Sequence, residues 1–262
     1  MDTEELERQI SAVDEGRGAI ALGGFRLVGV TGGDAEAWLQ DLLTAGVAGL
    51  EPGAAVRSLL LGPTGRIRAD LHVLRLPEGY LLVQTLDQPR DAAALLAPYV
   101  LSADVRLREA SPPELVGVPA IPSWRFPPAE QDGLIPVGPP AVESWRIRRG
   151  LPRFPVDLDE DSLPAEGDLD DGITIDRTKG CYVGQESVAK VRNLGHPTRV
   201  VLALEASERV VAGTSILLDD AQVGLVTSAD AVGGGSVLLG RVRWNARDAR
   251  LRTLDGTPLR RR

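Results

Sequence analysis

The densest group of chemistry-bearing residues in this chain is Lys179-Gly180-Cys181-Tyr182-Val183-Gly184-Gln185-Glu186. It holds the only cysteine among 262 residues. The thiol therefore cannot pair within the chain, nor can it supply the several thiolates that normally hold an iron–sulfur cluster. Gly180 and Gly184 permit tight backbone turns on either side of it. Ser187 to Arg192 can begin a short helix, which would set Cys181 just before a helix N-terminus and beside Lys179. Both surroundings favour the thiolate. A lone cysteine is also commonly a small buried hydrophobe, and the residues alone leave both readings open. A Cys–His nucleophilic pair would need His72 or His196, the only two histidines, and sequence cannot bring either into reach. Tyr182 reads as a packing wedge for the loop.

Other familiar chemistries are missing their patterns. Gly233-Gly234-Gly235 lacks the spacing and the following Lys-Ser/Thr of a phosphate loop, and no Gly-x-Gly-x-x-Gly follows a strand. Asp157 to Asp176 carries nine carboxylates and no Lys or Arg. Its spacing matches no calcium loop, so it reads as a solvated acidic loop and no metal ligands are expected. Lys and Arg number 29 against 37 Asp and Glu, a formal charge of −8. That balance disfavours a broad nucleic-acid surface, and no direct nucleic-acid contact is expected, although a local patch would escape the average. The opening MDTEELERQI is acidic and polar, unlike a signal peptide, and no apolar run approaches the length of a membrane span. The expectation is a cytoplasmic protein off the membrane.

The elements that must position these residues follow from periodicity. A short helix is expected over 3–10, a strand over 25–30, and a helix over 35–43 with apolar residues three and four apart. Strands follow at 55–61, 67–76 and 80–85, then a helix at 88–98 and a strand at 104–108. Nine prolines between 111 and 140 forbid a long helix and predict a connector with short edge segments. A helix resumes over 141–149. From Arg199 onward only short strand patterns occur (199–204, 215–218, 222–227, 237–242, 251–254), and a small antiparallel barrel would hide their edges. Arg260-Arg261-Arg262 reads as a frayed end. Hairpins interleaved with helices point to α+β rather than a doubly wound sheet.

Against this background, KGCYVGQE closely resembles the K-G-C-Y-x-G-Q-E signature of the YgfZ family, folate-binding proteins linked to iron–sulfur cluster maintenance. FRLVGVTGGDAEAWLQDLLTAGVAGLEPG is similar to that family's opening strand and helix, and GRIRADLHVLRL to its next glycine-to-aspartate strand. EGDLDDGITIDRTKG resembles the approach to the signature. Together these cover most of residues 15–200. The related glycine-cleavage aminomethyltransferases carry an acidic residue where Cys181 stands and a basic one where Gln185 stands. Their aspartate pair is reduced here to Ala69-Asp70.

The resemblance implies an α+β fold of two interleaved ferredoxin-like subdomains over residues 1–197, followed by a C-terminal antiparallel β-barrel over 198–262. It implies tetrahydrofolate in a central channel, with Asp70 and Glu186 as pterin partners and Gln185 assisting through its amide. Arg66, Arg68 or Lys190 would meet the anionic glutamate tail. Cys181 would be the reactive thiol at the mouth of the site, redox-responsive or contacting sulfur and cluster. The implied function is an accessory role in assembly or repair of iron–sulfur clusters in enzymes, tRNA-modifying ones among them. Its partners would be those enzymes or cluster-assembly proteins. Two alternatives are a folate-dependent aminomethyl (one-carbon) transferase and a non-catalytic interaction module.

Overall fold

The computed structural model describes residues 2–111 and 114–262. The chain divides into two compact units, Met1–Val142 with Asp170–Ser187, and Glu143–Leu169 with Val188–Arg262. Residues 143–169 thus group with the C-terminal strands, whereas the sequence suggested one region running to 197.

In the first unit α1 (Thr3–Asp14) starts at Asp2, whose carboxylate accepts from the Glu5 amide, and it buries Ile10, Ala12 and Val13. β1 (Gly18–Ala21), β2 (Phe25–Thr31), α2 (Ala35–Leu42), β3 (Ala55–Leu61), β4 (Ile67–Leu76) and β5 (Gly79–Thr85) follow. Next come α3 (Ala92–Leu96), β6 (Arg106–Glu109), β7 (Val116–Gly117) and β8 (Ile135–Pro136). β3-β4-β5-β2-β6 form a five-stranded antiparallel sheet, and β7-β1-β8 form a small three-stranded one.

Strand alternation decides which face does what. Along β4, Ile67, Ala69, Leu71 and Val73 are buried while Arg68, Asp70 and His72 take the other face. The first face packs on Trp38, Leu39 and Leu42 of α2 and on Leu96 of α3, making the main core. The second face meets a smaller cluster of Leu22, Leu27, Leu81, Val83 and Phe126, with Trp124 against it. The helix expected at 88–98 begins only at Ala92. Asp91 caps it by accepting from the Ala93 and Ala94 amides. Gln88 instead turns its amide onto the backbone of Asp70.

α4 (Pro139–Arg148) and α5 (Gln185–Leu194) each run from one unit into the other. In the second unit β9 (Arg199–Ala206), β10 (Ser215–Leu218), β11 (Ala221–Val232), β12 (Gly235–Arg243), β13 (Leu251–Arg252) and β14 (Pro258–Arg261) close a barrel in the order β10-β11-β12-β9-β14-β13. Two expectations are corrected here. The terminal arginines are not frayed. Leu259 points inward and is buried, so Arg260 and Arg261 pair with Glu205 and Leu204 of β9. The acidic stretch is not simply solvated either. Asp157 is fully buried, accepting from Arg146, Thr227 and Ser228, and Glu166 is buried against Arg241. Arginines and hydroxyls distant in sequence satisfy these carboxylates, which composition along the stretch could not show.

Candidate functional site

The β3–β4 hairpin and the segment 170–187 carry the candidate residues of the first unit. Thr44 starts the clamp between them. Its hydroxyl donates to the Thr174 carbonyl at 2.7 Å and accepts from the Leu59 amide at 2.9 Å, while its carbonyl accepts from the Asp176 amide at 3.0 Å. Asp176 then folds the next turn by accepting from the amide and hydroxyl of Thr178, each at 2.7 Å, and from the Lys179 amide. The Thr178 donors hold its carboxyl below the usual range.

Lys179 extends away along this clamp. Its ammonium donates to the Leu43 carbonyl at 2.6 Å and the Ala45 carbonyl at 3.0 Å, and lies 5.5 Å from the Tyr182 ring centroid. Burial pulls it down to about 8, against the opposing charges of Asp176 and Asp41. Sequence reasoning gave this charge to the thiol; the structure spends its hydrogen bonds on fastening the loop. Tyr182 is buried, as a wedge should be. Beyond it Gly184 has φ +82°, and a Cβ there would meet the Gly62 carbonyl oxygen at 2.6 Å and the Gly65 Cα at 3.0 Å. Gly65 in turn rests on Ser187. The loop is therefore pinned at both ends, and Cys181 is exposed between the pins.

A second group sits further along the hairpin. Arg57 of β3 grips Asp70 of β4 with two parallel hydrogen bonds, Nε to Oδ1 at 3.0 Å and Nη2 to Oδ2 at 2.6 Å. The two side chains are only 15% and 10% exposed. Burial alone would depress the guanidinium, but the charge and hydrogen bonds of Asp70 outweigh it and raise the pKa. Gln88 brackets the Asp70 backbone, accepting from its amide at 3.0 Å and donating to its carbonyl at 2.7 Å. Beside them His72 stacks on Trp124, with centroids 5.0 Å apart and planes at 26°. Phe25 meets Trp124 edge-on at 5.7 Å. Burial pushes His72 down to about 4, so the imidazole is neutral near pH 7. Its Nδ1 is buried with no hydrogen-bond partner among the described residues.

The expected residues do not all gather in one place. Arg66 adjoins the hairpin turn, its carbonyl accepting from the Gly62 amide. Gln185 and Glu186 open α5 on the segment that packs on that turn, so these three share one end of the hairpin. Asp70 lies four residues on, roughly 13 Å along the strand. Glu186 and Lys190 are exposed on α5. Arg68 leaves the turn beside Gly62, where a Cβ would touch its guanidinium. Sequence reasoning missed Arg57, Gln88 and Trp124, and saw His72 only as an unpaired histidine. Arg57 and Asp70 had a signal: opposite charges on the same alternation of two strands joined by a tight turn. Trp124 had none, because it arrives from the proline-rich connector. Among the described residues no group of three or more His, Cys, Asp or Glu could hold a metal ion. Among the same residues no helix is long and apolar enough to cross a membrane.

This α+β framework with its closed six-stranded barrel is that of the glycine-cleavage aminomethyltransferases. The chain superposes on glycine cleavage system aminomethyltransferase T from Bartonella henselae with a TM-score of 0.76 at 19% identity, over 96% of this chain and 87% of that one. Residues 3–112 match the GCVT N-terminal domain family. The chain is thus a protein of the GcvT fold, related to iron–sulfur cluster assembly factors. It is 27% identical to the mitochondrial iron–sulfur cluster assembly factor IBA57 homolog of Pyricularia oryzae, over 68% of this chain and 54% of that protein. An uncharacterized protein of Haemophilus influenzae is 26% identical over 75% of this chain and 77% of its own length. The chloroplastic protein At1g60990 of Arabidopsis thaliana is 32% identical over 45% of this chain. The chain spans about a quarter of that plant protein and about half of the fungal one.

Proposed function

We propose that this protein is a folate-binding accessory factor that supports assembly or repair of iron–sulfur clusters, acting in the cytoplasm on cluster-carrying enzymes, tRNA-modifying ones among them. The observation that carries the proposal is the single thiol, exposed on a loop whose neighbours Lys179, Asp176 and Gly184 are all committed to holding it still. A mobile surface thiol would need none of these fastenings. The relation to a cluster-assembly factor supports the same reading.

The second face of the sheet fits tetrahydrofolate in chemistry. A pterin is a flat ring with N–H donors and ring nitrogens, and it asks for aromatic walls and a few fixed polar groups. Trp124 and Phe25, packed edge to face, would offer aromatic surface to it. Asp70 provides an acceptor whose orientation Arg57 and Gln88 fix. His72 holds a neutral imidazole with an orphaned nitrogen. When bound, tetrahydrofolate supplies a reduced ring able to carry a one-carbon unit. This chain's residues would hold that ring, while Cys181 meets the client. Glu186 and Gln185, expected beside the pterin, sit at the other end of the hairpin, so with Arg66 and Lys190 they become candidates for the distal parts of the cofactor.

The test pairs two measurements. Calorimetric titration with tetrahydrofolate should show binding that Trp124→Ala weakens. In cells lacking the endogenous protein, iron–sulfur enzyme activities should be restored by the wild type and not by Cys181→Ser. Absence of folate binding, together with full rescue by the serine variant, would leave only a non-catalytic interaction module.

A further inference from the structure

The overall negative charge hides a local reversal. The second unit, Glu143–Leu169 with Val188–Arg262, carries sixteen Lys and Arg against fourteen Asp and Glu, a surplus of two positive charges in a chain whose total is −8. Within that unit Arg199 of β9 stands directly opposite Arg243 of β12 in the antiparallel register. Both are exposed, and among the described residues neither side chain has a carboxylate or hydrogen-bond partner. Like charges placed directly across a strand pair repel and destabilise it. Asp248, the carboxylate nearest to Arg243 in the sequence, is already used, at 3.2 Å by Arg247 and 3.3 Å by Arg261.

Beside this pair stands a three-layer stack. The His196 ring lies on Trp244 at 4.9 Å with planes 6° apart, and the Arg247 guanidinium covers the indole at 4.1 Å. The Trp244 amide donates to the Thr198 carbonyl, which ties the stack to the same rim of the barrel as Arg199 and Arg243. His196 is exposed, and the stack sets the plane of its ring.

An oriented flat ring next to two unneutralised guanidiniums matches a nucleotide unit, a base stacking on the ring and phosphates meeting the arginines. A carboxylate-rich peptide would use the arginines but has no need of the ring. We propose that this rim of the barrel, built on His196, Arg199 and Arg243, binds single-stranded RNA. The site shares no residue with the thiol loop or the folate face.

The experiment is fluorescence anisotropy of a labelled 12-nucleotide RNA against the whole protein, as a function of salt. Each phosphate contact on a single strand contributes about 0.7 to the slope of log K against log salt. Replacing both arginines (Arg199→Ser with Arg243→Thr) should therefore flatten the slope by about 1.4 and weaken binding at least tenfold at low salt. The same double variant should raise the thermal midpoint, since it relieves the cross-strand repulsion. His196→Ala should weaken binding with little change in slope, because stacking carries no counterion release. No RNA binding at low salt would overturn the proposal, as would binding that the double variant leaves unchanged. Displacement of the RNA by a glutamate-rich peptide, at a concentration where free mononucleotide fails to displace it, would assign the rim to an acidic protein instead. A fall in the thermal midpoint of the double variant would show that the arginines serve the barrel and would likewise count against the site.

Discussion

Replacing Asp70 with alanine should destabilise the protein severely, before any question of ligand arises. The carboxylate neutralises Arg57 through two hydrogen bonds at a site where both side chains are largely buried. Removing one partner of such a pair strips a desolvated guanidinium of its bidentate carboxylate, which costs about 3–5 kcal/mol. Native domains are stable by only about 5–15 kcal/mol, so the loss would be a large fraction of the total. Asp70→Asn keeps one acceptor and forfeits the charge, for a smaller loss of about 1.5–3 kcal/mol. Replacing both partners with apolar residues, Arg57→Met with Asp70→Leu, should recover much of the stability, because no charge is left behind. Urea unfolding followed by far-UV circular dichroism and by tryptophan emission would measure all four proteins. An Asp70→Ala variant within about 1 kcal/mol of wild type would refute the closed ion pair. The same reasoning governs the folate test: lost binding in Asp70→Ala would confound unfolding with recognition, so Asp70→Asn at matched stability is the informative variant.

Three further outcomes follow from the same unit. His72 titrates near 4 when folded against an ordinary 6.5, so the unfolded chain takes up its proton first as pH falls. Stability should be full above 6.5 and decline toward 4 by about 3 kcal/mol, and comparison with His72→Phe should isolate that loss. Lys179 titrates near 8 when folded, below its ordinary 10.5, so between those values the unfolded state binds more protons. The stability of wild type relative to Lys179→Met should therefore rise with pH from 8 to 10; a flat difference would show that the ammonium is not desolvated. Gly184→Ala forces a side chain into positive φ and against the Gly62 carbonyl, at a cost of more than about 1–2 kcal/mol. It should lower the melting temperature and change the alkylation rate of Cys181, and no change in either would sink the pinned-loop description.

What the sequence made legible was whatever depends on nearest neighbours and periodicity. The β4 pattern and the α2 stripe were readable because each buries one face at a fixed period, and β3 and β5 because each is a short apolar run bounded by turn residues. The failures share a cause: each depends on a partner far along the chain. Arg260 and Arg261 look frayed until Leu259 is seen to anchor β14 beside β9. Asp157 looks solvated until Arg146, Thr227 and Ser228 surround it. The helix at 88–98 loses its first turn because Gln88 is spent on Asp70, eighteen residues away.

The candidate site divides along the same line. Cys181 was legible because a single thiol between two glycines stands out in any composition. Its fastening was not. Lys179 could have faced the sulfur, as local charge suggested, or the carbonyls of Leu43 and Ala45, as tertiary packing chose. A desolvated ammonium with two carbonyl acceptors is a poor source of field for a thiol but a good anchor, because moving it would expose those acceptors unpaired. The signature run therefore spends its lysine, tyrosine and second glycine on rigidity. That leaves Cys181 as the residue whose side chain the loop presents outward, with Gln185 and Glu186 opening the helix behind it.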